Sequence, residues 1–217
     1  MHKAAKYAKK RIANRGIWGL FEFIAINISR RLPEPNSTNV FNREWDLLII
    51  LDGCRTDIFY DNVDADRPRT IFSVGSKSDE WIQRTFNVPR LNTAYITANP
   101  FSESLDKQNV GYLDEVWNYA WNSELGTVHP KNVTNSAIRF GRSDSKFERV
   151  IIHYMQPHFP PLMEFEIERL NKPDGFAEGR KSVWSKVRSG DISINKAWDL
   201  YSTNFRIVWQ EVQSLVK

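Results

Sequence analysis

Three short apolar runs along the chain lack the polar and apolar alternation of a strand with one face in water. They are LLIIL within residues 46–51, TAYITA at 93–98 and RVIIHYM at 149–155. A continuous apolar run of this length, bounded by turn-forming sequence, is typical of a strand buried on both faces of a parallel sheet. The pattern therefore predicts three neighbouring buried strands.

Segments with helical features lie between and after these runs. Residues 78–86 (SDEWIQRTF) have Ser78 in the position of an N-cap, and residues 129–141 have Pro130 early and Gly141 at the end. Strands that alternate with helices predict an α/β fold, with a parallel-rich sheet covered by helices on both sides. A last long amphipathic helix is predicted from an apolar face made of Ile194, Trp198, Tyr201, Phe205, Val208, Trp209, Val212 and Leu215.

Composition is that of a folded chain. The sequence has 217 residues, 41% of them hydrophobic and 13% aromatic, which is enough for one globular domain with a small appendage. Cys54 is the only cysteine, so no disulfide can form within the chain. The lack of disulfides favours a reducing compartment, and we therefore expect a cytoplasmic protein.

Charge separates the beginning of the chain from the rest. Residues 1–31 carry eight Lys or Arg against one acid, Glu22, a balance of +7, whereas the whole chain carries +4, which leaves −3 for the remainder. Nucleic-acid binding usually leaves a basic stripe across the fold, so no nucleic-acid partner is expected.

The apolar stretch 17–28 contains Glu22 and is too short to span a bilayer, and no cleavage pattern of a signal peptide follows it.

We therefore divide the chain into a basic amphipathic N-terminal arm, residues 1–35, and an α/β domain, residues 36–217. An arm of this composition can lie on an anionic membrane surface through residues 1–31, which would make the protein peripheral at the membrane, or it can contact another protein. Docking on its own domain, or fraying as a tail, is an equally good interpretation.

Polar residues follow the predicted strands at their carboxyl ends, where ligands gather in α/β sheets. Asp52 comes directly after LLIIL, and capping of the next helix is an equally good interpretation of this acid. His158 follows the third strand in a loop held by prolines, where an immobilised imidazole is placed to contact an anion. His153, within the strand, is predicted to be a core histidine.

The stretch GSKSDEW contributes two serines at the start of a predicted helix, Ser76 and Ser78. Free N–H groups and the positive end of the helix dipole favour an anion and a deprotonated hydroxyl at this place. A serine beside a divalent cation there is an activated nucleophile. A plain helix cap is the more frequent role of such a serine.

Together, LLIILDGCRTDIF, GSKSDEW, TAYITANPF, GTVHPKNVTNSAIRF, HYMQPHFPPL and the helix WDLYSTNFRIVWQEV resemble the sulfatase-like branch of the alkaline phosphatase superfamily. The resemblance implies a metal-dependent hydrolase or transferase that acts on a phosphate or sulfate ester. It makes Asp52 a ligand of a divalent metal ion, Ser78 the nucleophile and second ligand, and His158 a substrate contact. Arg55 would contact the anion or pair with Asp57.

Two departures from the family pattern change these expectations. Formylglycine sulfatases need a Cys or Ser followed two residues later by Pro and four later by Arg, and Cys54, Ser76 and Ser78 lack these neighbours. A plain serine suits phosphoryl transfer better, so a phosphorus centre is favoured. The later Asp-His pair that completes the family's metal site is also missing, because no Asp-His occurs in the sequence.

The sequence therefore predicts the N-terminal portion of a family member, with a catalytic site that is incomplete in this chain. One carboxylate and one hydroxyl hold a divalent ion poorly, because ordinary metal sites need several protein ligands. We expect little or no turnover by this chain alone. The alternative is a non-catalytic relative that binds an anion, a membrane surface or a partner protein.

Overall fold

A computed structural model describes Trp18, Phe21 and residues 36–64, 70–143, 147–163 and 183–217. The chain divides into two compact units, Met1–Thr38 with Ile71–Val74, and Asn39–Thr70 with Gly75–Lys217. The predicted basic arm lies outside the described residues, except for Trp18 and Phe21. Both are helical, with ring centroids 6.2 Å apart. None of the described helices is long and apolar enough to cross a membrane.

A four-stranded parallel sheet forms the centre of the larger unit. The described residues form six strands in all, which are β1 (Leu47–Leu51), β2 (Arg90–Thr97), β3 (Val110–Glu115), β4 (Trp121–Asn122), β5 (Thr127–Val128) and β6 (Arg149–Tyr154). The sheet has the order β1-β6-β2-β3, and β4 and β5 form a separate antiparallel pair. Because β6 pairs with both β1 and β2, the three predicted strands are neighbours. The predicted α/β class with a parallel sheet is confirmed.

The prediction that all three strands are buried on both faces is wrong for β1. The residues Ile151–Tyr154 of β6 are buried, whereas Leu47 is 45% exposed and the rest of β1 is half-buried. The reason is position, because among the described strands β1 pairs only with β6 and so lies at an edge of the sheet. The other edge is β3, whose mixed sequence VGYLDE gave no apolar run to predict it.

Helices cover both faces of the sheet. They are α1 (Thr56–Asn62), α2 (Ser78–Thr85), α3 (Trp117–Ala120), α4 (Pro130–Gly141), α5 (Val183–Ser189) and α6 (Ile194–Leu215). Short 3-10 helices span Val40–Asn42, Pro100–Ser104 and Lys107–Asn109. The predicted start and end of α4 at Pro130 and Gly141 are confirmed.

The two faces of the sheet carry alternate residues of each strand, as the period of two requires. Ile96 and Ile152 belong to the core formed with α4 and α6, whereas Tyr95 and Ile151 belong to the core that contains Ile82 of α2. The predicted apolar face of α6 is buried or half-buried from Tyr201 onward, but Ile194 and Trp198 are exposed. The first turns of α6 therefore present apolar side chains to water.

Candidate active site

The carboxyl end of β1 brings Asp52 to the start of α2. Oγ of Ser78 donates to Oδ1 and Oδ2 of Asp52, at 3.1 and 3.2 Å. Nδ2 of Asn99, which follows β2, donates to Oδ2 of Asp52 at 2.9 Å. Two strand ends and one helix start therefore meet at a single carboxylate, and the predicted meeting of Asp52 and Ser78 is observed.

The sequence patterns did not predict Asn99, although it is the second side-chain partner of this carboxylate. Oδ1 of Asn99 accepts from the backbone N–H of Phe101 at 2.9 Å, which turns the NH₂ group of the buried amide toward Asp52. The signal that could have found it is its place two residues beyond the end of β2. This is the same edge of the sheet that made Asp52 a candidate.

Neither Asp52 nor Ser78 caps a helix. The N-cap of α1 is Arg55 and that of α2 is Lys77, so the prediction that Ser78 is an N-cap is wrong. Ser78 is instead the first helical residue, and its hydroxyl donates to a carboxylate, which is a stronger acceptor than a neutral group. The interpretation of Asp52 as a helix cap is also wrong, because its carboxylate oxygens accept from Ser78 and Asn99.

The structure does not bring Ser76 to the carboxylate. Oγ of this exposed serine donates to Oε2 of Glu80 at 2.9 Å. Nζ of Lys77 lies 2.7 Å from Oδ2 of Asp79 and 3.7 Å from Oε1 of Glu80. The charges of the first turn of α2 are therefore paired within that turn, and Ser78 is the serine that contacts Asp52.

His158 approaches Asp52 through its backbone. Its N–H donates to the carbonyl oxygen of Asp52 at 3.1 Å, while Nδ1 of the exposed ring lies 2.7 Å from the carbonyl oxygen of Phe159. Gly53 has φ +65°, and a Cβ at this position would lie 3.3 Å from Cδ2 of His158. The turn after Asp52 thus favours glycine for its backbone conformation, and a Cβ there would require the imidazole to shift slightly.

Arg55 is paired with Asp57, one of the two alternatives that the sequence left open. Nε of Arg55 donates to Oδ1 of Asp57 at 3.0 Å. This hydrogen bond raises the pKa of Arg55 and lowers the pKa of Asp57. The guanidinium carbon also lies 5.4 Å from the ring centroid of Trp198. Arg55 is therefore held at the rim of the site, between a carboxylate and an indole.

Helix α6 holds the loop that follows β1. The hydroxyl of Tyr201 donates to the carbonyl oxygen of Gly53 at 2.7 Å and accepts from the backbone N–H of Arg55 at 2.8 Å. The side chain of Ile58 in α1 packs in the same cluster as Tyr201 and Phe205. The position of Asp52 therefore depends on a side chain from the other end of the domain.

The same helix holds the loop that follows β6. The buried Asn204 accepts at Oδ1 from the backbone N–H of Leu162 at 3.0 Å. Its Nδ2 lies 2.9 to 3.4 Å from three backbone carbonyl oxygens, those of Pro157, His158 and Pro160. One amide thus organises the turn that carries His158.

Two other titratable groups close to Asp52 are not placed for chemistry. His153 is buried, as predicted for a core histidine, with Nδ1 2.8 Å from the hydroxyl of Tyr95. Burial lowers the pKa of His153 against the opposite effect of the Asp52 charge, so the ring is neutral at pH 7. Burial, followed by the charge of Asp57, raises the pKa of Cys54 to about 11, which keeps this thiol protonated and unreactive.

The predicted metal site has few ligands in the structure. Within the described part of the chain, no group of three or more His, Cys, Asp or Glu could hold a metal ion. Asp52 and Ser78 offer oxygen atoms, but Asn99 presents its NH₂ group, which is not a metal ligand. Zinc takes at least three protein ligands, whereas magnesium can bind through one or two carboxylates together with waters and substrate phosphates. The described residues alone therefore do not fit a zinc ion.

Comparisons of the chain with models of protein families, with curated proteins and with solved structures found no match. The resemblance to the sulfatase-like branch of the alkaline phosphatase superfamily therefore stays a prediction from the sequence motifs. The geometry around Asp52 carries the functional argument.

Proposed function

We propose that this chain carries the nucleophile side of a phosphoryl-transfer centre, a hydrolase or transferase for phosphate esters in which Ser78 attacks phosphorus. The observation that supports this function is the hydrogen bond from Oγ of Ser78 to the Asp52 carboxylate, 3.1 Å, at the carboxyl edge of a parallel sheet. The sequence resemblance points the same way. A sulfate ester is the less favoured substrate, because Ser78 lacks the neighbours of a formylglycine site.

The chemistry follows from this hydrogen bond. The bond between Oγ and phosphorus forms as the bond from phosphorus to the leaving oxygen breaks, and the hydroxyl proton of Ser78 moves to Asp52. Asn99 donates to the same carboxylate and keeps its oxygens turned toward the serine. The leaving oxygen takes its proton from water, and the phosphoserine then passes its group to water or to another acceptor.

Asp52, Ser78 and Asn99 supply no positive charge to the centre. Charge develops on the transferred group in the transition state, and preorganised positive charge stabilises it. The two cationic side chains closest in sequence to the site residues are engaged, Lys77 with Asp79 and Arg55 with Asp57. The proposed function is therefore restricted to the nucleophile side of the centre, formed by Ser78 and Asp52.

A covalent label tests the nucleophile without requiring turnover. We expect a fluorophosphonate to form one adduct, on Ser78, with loss of fluoride, and peptide mass spectrometry locates it. Ser78→Ala should abolish the adduct. Asp52→Asn should slow labelling about 100-fold, because general-base catalysis is worth about 10²–10⁴ in rate.

Ser76→Ala is the matched control, since Ser76 is more exposed than Ser78 and donates to Glu80 instead of Asp52. Labelling of this variant should equal that of the unmodified chain. Equal adducts on both serines, or a Ser78 adduct that forms at full rate in Asp52→Asn, would contradict the proposed role of the Asp52–Ser78 pair.

The alternative function, attachment to an anionic membrane surface, is favoured by the first 31 residues. They carry eight Lys or Arg against one acid, and Trp18 and Phe21 expose 76% and 59% of their surface. Basic residues beside exposed aromatic side chains are typical of an interfacial helix. This function does not exclude phosphoryl transfer, because it concerns a different part of the chain.

We expect the chain to bind vesicles that contain phosphatidylserine, and the affinity should fall as salt rises. Replacing Lys9, Lys10 and Arg11 by Gln should weaken binding about 100-fold, because each basic residue near the surface contributes about 1 kcal/mol. Vesicle co-sedimentation measures the binding. Trp18→Ala should lower the affinity without changing its salt dependence, and equal binding to neutral vesicles would contradict the electrostatic mechanism.

A further inference from the structure

An exposed aromatic surface lies beside the loops that carry Asp52 and His158. It consists of the exposed indoles of Trp184 and Trp198, the half-buried ring of Phe159 and the ring of Tyr201, which is only 8% exposed. Trp184 is 58% exposed and Trp198 is 39% exposed, while Phe159 is half-buried. Large aromatic side chains left in water as a group mark a binding surface more often than a random exposed residue does.

The four rings contact one another in series, each ring touching the next. The centroid of Phe159 lies 5.9 Å from that of Trp184 and 6.2 Å from that of Tyr201, and the Tyr201 and Trp198 centroids are 5.6 Å apart. The angles between their planes are 87°, 43° and 38°, respectively. The surface is therefore a set of tilted rings, without a slot between two parallel ones.

This surface is joined directly to the proposed site. The hydroxyl of Tyr201 donates to the carbonyl of Gly53, the residue after Asp52. Phe159 follows His158, whose N–H donates to the carbonyl of Asp52. The aromatic surface therefore adjoins the loop that follows Asp52 and the loop that carries His158.

The ion pair of Arg55 and Asp57 forms a polar rim at the aromatic surface. The guanidinium carbon of Arg55 lies 5.4 Å from the Trp198 centroid, and both charged side chains are exposed. Arg donates five hydrogen bonds and a carboxylate accepts several, so the rim offers both donors and acceptors to a ligand. Aromatic faces and a mixed polar rim lie next to each other.

We propose that the aromatic surface binds a saccharide ring, and that the ring is the organic portion of the phosphate ester. This inference rests on the proposed function. A saccharide ring has one face of C–H groups, which suits an indole, and a circumference of hydroxyls, which both donate and accept. The tilted rings and the Arg55–Asp57 rim match those two requirements.

Two other classes of ligand match the surface less well. A nucleobase can stack on one aromatic face but makes more contact in a slot between two parallel planes, and the interplanar angles here are 38° or more. A quaternary ammonium group binds the faces of an aromatic cage, but Arg55 already lies over Trp198 and repels a second cation. The saccharide is therefore the occupant that the geometry favours.

Indole N–H signals in NMR spectra of the full chain provide the test. The probes are neutral oligosaccharides of glucose, mannose, galactose and N-acetylglucosamine, with adenosine monophosphate and choline as the alternatives. We expect at least one saccharide to shift, with saturation, the signals of Trp184 and Trp198 among the eight tryptophans of the chain. Their assignments follow from the signals that disappear in Trp184→Ala and Trp198→Ala.

Trp198→Ala should raise the Kd of that saccharide about tenfold, the equivalent of about 1.4 kcal/mol. Tyr119→Ala is the matched control, because Tyr119 is an exposed aromatic residue, 59% exposed, that contacts Asp114 near the β3 edge of the sheet. It should leave the Kd unchanged. Both aromatic variants replace exposed side chains, and circular dichroism verifies that they fold.

The outcomes separate this proposal from the proposed function. Saccharide binding should survive Ser78→Ala, because the aromatic surface does not include the nucleophile. Labelled Ser78 without saccharide binding would overturn the ligand class alone, and saccharide binding without a Ser78 label would overturn the nucleophile alone. Three results would overturn the saccharide site. They are the absence of a shift with every saccharide up to its solubility limit, tighter binding of adenosine monophosphate or choline, and burial of both indoles by self-association.

Discussion

The 217-residue chain is expected to show little or no turnover of aryl phosphates or aryl sulfates when zinc, manganese, magnesium or calcium is added. The serine and its carboxylate are in place, but no group of three or more His, Cys, Asp or Glu among the described residues could hold a metal ion beside them. Without fixed positive charge, the transition state loses the largest single source of stabilisation in such reactions. Release of the coloured aryl product measures turnover.

A known phosphatase in the same buffers controls for metal and substrate quality. The fluorophosphonate label remains compatible with this result, because its leaving group is far better and one event per chain suffices. Robust turnover that depends on an added metal and disappears in Asp52→Ala would contradict the prediction. It would show that residues beyond those identified complete the centre.

Replacing Asn204 by Ala is expected to lower the free energy of unfolding by about 3 kcal/mol. The change leaves the buried N–H of Leu162 without its acceptor and removes the donor that serves three carbonyl groups of the His158 loop. Each buried polar group left unsatisfied costs about 1–3 kcal/mol. Urea unfolding followed by circular dichroism measures the loss.

Thr203→Ala is the matched control for this variant. Thr203 precedes Asn204 on the same helix, and its hydroxyl donates to the carbonyl of Asp199 and accepts from Arg206, both within that helix. We expect a change within about 0.5 kcal/mol, as for most substitutions outside the core. An Asn204→Ala chain as stable as Thr203→Ala would show that water replaces the amide and that the His158 loop does not depend on it.

Much of the sheet could be predicted because a short apolar run in the sequence indicates a strand within a sheet. LLIIL, TAYITA and RVIIHYM gave three neighbouring strands correctly, and the ends of α4 followed from Pro130 and Gly141. The runs did not report how many neighbours each strand has. This is why the edge position of β1 was missed and why β3, with Asp114 and Glu115 at its end, gave no signal.

The candidate site was predicted only in part, for a related reason. Asp52 follows an apolar run and Ser78 begins a helix, so both were visible along the chain. Asn99 is an uncharged residue whose role comes from the pairing of β2 with β6, and this pairing is a property of the folded sheet. The supporting contacts of Tyr201 and Asn204 join positions far apart in sequence, and local patterns contain no information about them.

The dependence of the Asp52 loop on α6 also sets the order in which the site is made during synthesis. Tyr201 holds Gly53 across 148 positions of the chain. At a translation rate of about 5–20 residues per second, the loop leaves the ribosome about 7–30 s before the helix that fixes it. The nascent chain therefore carries Asp52 and Ser78 before the helix that holds the Gly53 loop has been synthesised.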